Sequence, residues 1–65
     1  MKKTAKNGYE FLIQVFPNWP EKEPRLEYRV NEYELLENMT HFTDRKTNTS
    51  KAFPTTICYI DEVKA

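Results

Sequence analysis

The chain has 65 residues with ten basic residues against ten acidic ones, so it is short enough for one domain at most and carries no net charge to keep it expanded. At this size folding removes only about 60% of the unfolded surface from water, so the core is thin. One Cys and one His exclude an internal disulfide framework and would leave a structural zinc dependent on carboxylate ligands, which makes association with itself or with another protein the expected supplement to stability.

Leu, Ile, Val and Phe together number 14, enough with a net charge of zero to expect a folded chain. Residues 1 to 8, "MKKTAKNG", read as a flexible basic arm ahead of a single small domain over residues 9 to 65. The apolar stretch behind the arm, "FLIQVF", is too short for a signal core or a membrane span. A cytoplasmic location with no membrane partner is therefore expected, in keeping with the lone Cys58. In that setting the sequons at Asn38 and Asn48 carry no chemistry.

Residues 9 to 16 alternate, with Tyr9, Phe11, Ile13 and Val15 on one face of a strand and Leu12 and Phe16 on the other, which predicts a central strand covered on both faces. "FPNWPEKEP" follows, a loop stiffened by Pro17, Pro20 and Pro24 that holds the only tryptophan, Trp19. Residues 25 to 30 alternate more cleanly and predict an outer strand, with Leu26, Tyr28 and Val30 inward. From Asn31 to Phe42 the pattern fits a helix: Asn31 as N-cap, Glu34 three residues on, and Leu35, Met39 and Phe42 as an apolar stripe. Residues 43 to 51 lack apolar side chains and read as a loop, and residues 55 to 60, "TTICYI", as a third strand. The resulting expectation is an α+β fold: a three-stranded, mostly antiparallel sheet in the order 2-1-3, with the third strand parallel to the second and one helix packed on one face.

No segment carries a signature of catalysis. His41 and Cys58 are not brought together by their spacing, the clustered glutamates are accounted for by the helix dipole, and the single glycine, Gly8, rules out a glycine-rich phosphate loop. Catalytic, cofactor and metal sites are therefore expected to be absent, with no small-molecule substrate. Two binding readings remain. In the first, the protein is a non-enzymatic interaction or regulatory protein, a homodimer that also binds another protein through Trp19 and an apolar sheet face formed by Leu12, Phe16 and Tyr59. Trp19 in that loop has two possible roles, a lid on the core or an exposed anchor. In the second, Lys2, Lys3 and Lys6 of the arm and Arg45, Lys46 and Lys51 of the long loop bind the phosphates of a nucleic acid.

Overall fold

The computed structural model describes all 65 residues and consists of seven strands and one short 3-10 turn. The strands are β1 (Lys2–Thr4), β2 (Tyr9–Val15), β3 (Leu26–Val30), β4 (Glu32–Leu36), β5 (Met39–Asp44), β6 (Thr49–Pro54) and β7 (Cys58–Lys64), with the turn at Thr55–Ile57 leading into β7. They form two antiparallel sheets, one of four strands in the order β1-β4-β5-β6 and one of three in the order β3-β2-β7. The expected α+β architecture is thus overturned: no helix packs on either sheet, and the cover over the inner face of β2 is the four-stranded sheet.

The correction centres on residues 31 to 42. Leu35, Met39 and Phe42 satisfy a helical spacing, yet the same residues also alternate, with Tyr33, Leu35, Thr40 and Phe42 on one face and Glu32, Glu34, Leu36, Met39 and His41 on the other. Adjacent Leu35 and Leu36 satisfy both periods, so the pattern alone does not choose between them. Tertiary pairing chooses. β4 pairs with both β1 and β5, and Leu36 faces Met39 across a two-residue connection in which Glu37 adopts φ 56°. A lone helix of a dozen residues is marginal in water, whereas a hairpin here closes a second layer over the core.

The expected loop over residues 43 to 51 is mostly strand. β5 runs on to Asp44 and β6 starts at Thr49, leaving four residues to turn. Asp44 organises that turn: its carboxylate accepts from the Lys46 N–H at 3.0 Å and from the Thr47 hydroxyl at 3.3 Å, and its carbonyl accepts from the Asn48 N–H at 2.7 Å. Asn48, at φ 56°, supplies the left-handed residue that Asn tolerates better than most. Part of the segment read as an arm is also a strand, since Lys2 to Thr4 pair with Glu34 to Glu32. The third predicted strand is shifted: residues 55 to 57 form the turn, and β7 continues to Lys64, antiparallel to β2 along seven paired positions.

The core lies between the sheets. From the three-stranded sheet come Phe11, Ile13, Val15 and Val30, and from the four-stranded sheet Phe42, all buried, with Tyr28, Tyr33, Phe53, Ile57, Cys58 and Ile60 packed around them. Aromatic pairs stitch the layers together. Phe11 meets Tyr33 edge-on at 4.8 Å, and Phe42 lies 5.0 Å from Tyr28 and 6.0 Å from Phe53. The chain passes from one sheet to the other at Asn31, whose carbonyl accepts from the Ala5 N–H at 2.9 Å. Thr40, fully buried, shares a 3.0 Å hydrogen bond with the Thr55 hydroxyl, which satisfies both groups inside an apolar layer. No helix of the structure is long and apolar enough to cross a membrane.

Candidate interaction surface

The outer face of the three-stranded sheet follows from the register of β2. With Phe11, Ile13 and Val15 turned into the core, Glu10, Leu12 and Gln14 point outward, beside Arg29 and Glu27 of β3 and Val63, Asp61 and Tyr59 of β7. Phe16 continues the outward series beyond the strand end. This face has two unlike halves.

At one end stands a polar clamp. The Glu10 carboxylate accepts from Arg29 at 2.7 Å through one oxygen and from Arg45 at 2.8 Å through the other. Its side chain is only 8% exposed while the two arginines remain about half exposed, so the guanidiniums themselves cover the carboxylate. The Arg29 hydrogen bond, followed by that of Arg45, holds the Glu10 carboxyl below the usual carboxylate range. The clamp ties the turn between β5 and β6 to the outer face of the other sheet. Leu12 is half-buried beside Arg29, Arg45 and Lys46.

At the other end is an aromatic platform. Phe16 donates its N–H to the Ile57 carbonyl at 2.9 Å, Trp19 N–H bonds back to the Phe16 carbonyl at 3.1 Å, and Glu21 N–H to the Asn18 carbonyl at 2.8 Å. These successive turns fold the proline-framed segment so that the indole returns over Phe16. The ring centroids of Phe16 and Trp19 are 5.9 Å apart, those of Phe16 and Tyr59 5.4 Å, and those of Trp19 and Tyr59 6.0 Å, all tilted or edge-on. Phe16 is buried beneath the other two, which stay 43% and 52% exposed. Trp19 therefore divides its surface, one part covering Phe16 and the other facing water.

Three of the four residues expected to bind protein, Phe16, Trp19 and Tyr59, meet in this platform. Leu12 shares the face but lies four residues back along β2, about 13 Å from Phe16 at strand spacing. The basic residues of the second reading are dispersed. Lys2 pairs with Glu32 at 2.7 Å, a contact that raises its pKa, and Arg45 is held by Glu10. Lys3 is exposed on β1, Lys6 lies beyond that strand, Lys46 sits in the turn, and the Lys51 ammonium lies 6.0 Å from the Tyr28 ring centroid. Lys2, Arg45 and Lys51 line one open groove, but Glu32 and Glu34 line it with them.

His41 lies on the outer face of β5 opposite Glu34, while the Cys58 thiol donates to the Pro54 carbonyl at 3.4 Å. Burial pushes the Cys58 thiol up, against a smaller opposing effect of the Thr40 hydroxyl, so it is not a poised thiolate. No three His, Cys, Asp or Glu side chains converge in a metal-ligating group. Sequence reasoning missed Glu10. Its signal was a carboxylate in a strand expected to be covered on both faces, a position that demands partners. Comparison of the chain with protein-family models, with curated proteins and with solved structures finds no match.

Proposed function

We propose that the chain is a protein-binding module whose contact surface is the platform of Trp19 and Tyr59 over Phe16. The observation that carries this reading is the pairing of a 43% exposed Trp with a 52% exposed Tyr on a buried aromatic base. Trp and Tyr are the residue types that concentrate binding energy at interfaces, and a platform held by three prolines and successive backbone turns loses little freedom when it is covered. The nucleic-acid reading has weaker support, because two of its six basic residues are engaged by carboxylates and the rest are spread over separate elements.

The test compares wild type with Trp19→Ala and Tyr59→Thr in crosslinking to proteins of the cell of origin, with folding of each variant verified by NMR dispersion. Loss of the same crosslinked species in both variants supports the platform. Identical species from all three proteins would remove it from the account. Binding of single-stranded DNA that weakens steeply with salt and with Lys46→Glu would instead favour the basic residues.

A further inference from the structure

β7 has a single neighbour, β2, and the bonds flanking its ladder reveal which way its backbone groups point. Phe16 N–H bonds to the Ile57 carbonyl at 2.9 Å and Ala65 N–H to the Gly8 carbonyl at 3.0 Å. With the register between them, the bonded pairs fall at Tyr59, Asp61 and Val63, so Cys58, Ile60, Glu62 and Lys64 turn their N–H and C=O groups away from the sheet. The Cys58 N–H turns back to the Thr55 carbonyl at the end of the 3-10 turn, while β7 pairs with no strand but β2, which leaves the groups of Ile60, Glu62 and Lys64 without a ladder partner. This is the longest open edge of the molecule. By the same alternation β3 turns only Glu27 and Arg29 outward, β1 is three residues long, and β6 ends at Pro54, which has no N–H.

We infer that the free edge of β7 accepts an extended, basic segment of another protein as an added strand, an inference that rests on the platform being the contact surface. Charge selects the occupant. Asp61 and Glu62 sit in the middle of β7, where the Glu62 carboxylate also accepts from the Lys6 N–H at 2.9 Å, and antiparallel pairing with a second copy centred on them sets these carboxylates against one another, which is destabilising. A lysine- or arginine-bearing strand meets the opposite condition. An added strand lies about 4.8 Å from β7, which brings its outward side chains beside Tyr59 and Asp61 and within reach of Trp19. The backbone ladder supplies affinity, a basic residue pairs with Asp61 or Glu62, and an apolar or proline side chain rests on the rings.

The experiment selects binders from a phage-displayed library of random twelve-residue peptides on wild type. The recovered peptides are then measured against Glu62→Pro, Glu62→Lys and Trp19→Ala, with amide exchange followed by NMR. Glu62→Pro removes an outward N–H together with the carboxylate that accepts from the Lys6 N–H at 2.9 Å, whereas Glu62→Lys leaves the backbone intact, reverses the charge at an exposed position and keeps the test open if the proline variant fails to fold. The expected result is basic, β-forming peptides that slow exchange at Ile60 and Glu62 and lose about tenfold or more in affinity in both Glu62 variants. Peptides that require Trp19 but ignore both Glu62 variants would overturn the strand-addition inference and leave the platform standing. Peptides that require neither, or no enriched peptide at all, would overturn both. Slow exchange of the same amides in a dimer without peptide would assign the edge to a second copy and overturn the inference.

Discussion

Replacing Glu37 with glycine separates a hairpin from a helix over residues 31 to 42 by the sign of its effect. In the hairpin Glu37 holds φ 56°, a left-handed conformation that costs an L-residue about 1 to 2 kcal/mol and glycine almost nothing. Glycine also enlarges the freedom of the unfolded chain, which takes back about 0.4 to 1 kcal/mol. The net expectation for Glu37→Gly is stabilisation by roughly 0.5 to 1 kcal/mol, a rise in Tm of about 2 to 8 °C for a domain of this size. In a helix interior the same change costs about 1 kcal/mol, so Tm falls. Glu37→Ala is the control. It keeps the left-handed penalty and leaves Tm nearly unchanged in a hairpin, but favours a helix. Thermal unfolding followed by far-ultraviolet circular dichroism reads both. A lower Tm for Glu37→Gly together with a higher one for Glu37→Ala would refute the hairpin.

Phe42→Ala removes the ring that joins Tyr28 and Phe53 at the centre of the core, at a cost of about 3 to 5 kcal/mol. That equals the whole stability of about 3 to 5 kcal/mol available to such a domain, so the variant is expected to be largely unfolded by NMR, while His41→Ala, on the outer face of the same strand, stays folded. A well-dispersed Phe42→Ala spectrum would count against this core. Glu10, with its pKa lowered by Arg29 and Arg45, contributes stability above the unfolded carboxylate pKa and loses it as pH falls through the folded value. The Tm gap between wild type and Glu10→Gln is thus expected to shrink as pH drops below about 5, and a gap that is constant from neutral to acid pH would show the clamp contributes nothing through its charge.

The strands β2 and β3 were legible because each puts its apolar residues on alternate positions, and β2 does lie between two strands, but its expected cover on both faces was not met: the four-stranded sheet covers only its inner face. Residues 31 to 42 were not legible. Their Glu and Leu content favours a helix locally, and the partners that override it, the three-residue polar β1 and β6, whose first half reads as loop, act through pairing that the local pattern does not show. The turn at residues 45 to 48 hid inside a run of Thr, Asn, Ser and Lys that reads as one loop until Asp44 is recognised as its organiser. For the site, the aromatic composition of the Trp19 loop was legible. Its convergence with Tyr59 required the antiparallel register of β2 and β7, which places Tyr59 opposite Gln14 on the same outer face as Phe16.

The most direct measurement is acrylamide quenching of Trp19 fluorescence, recorded on the free protein and again with a peptide selected on wild type. With 43% of its surface exposed, Trp19 is expected to be readily quenched in the free protein, then shielded and blue-shifted when the peptide binds. A tryptophan already inaccessible in the free protein, or one whose emission and quenching ignore a bound peptide, would contradict the platform as the contact surface.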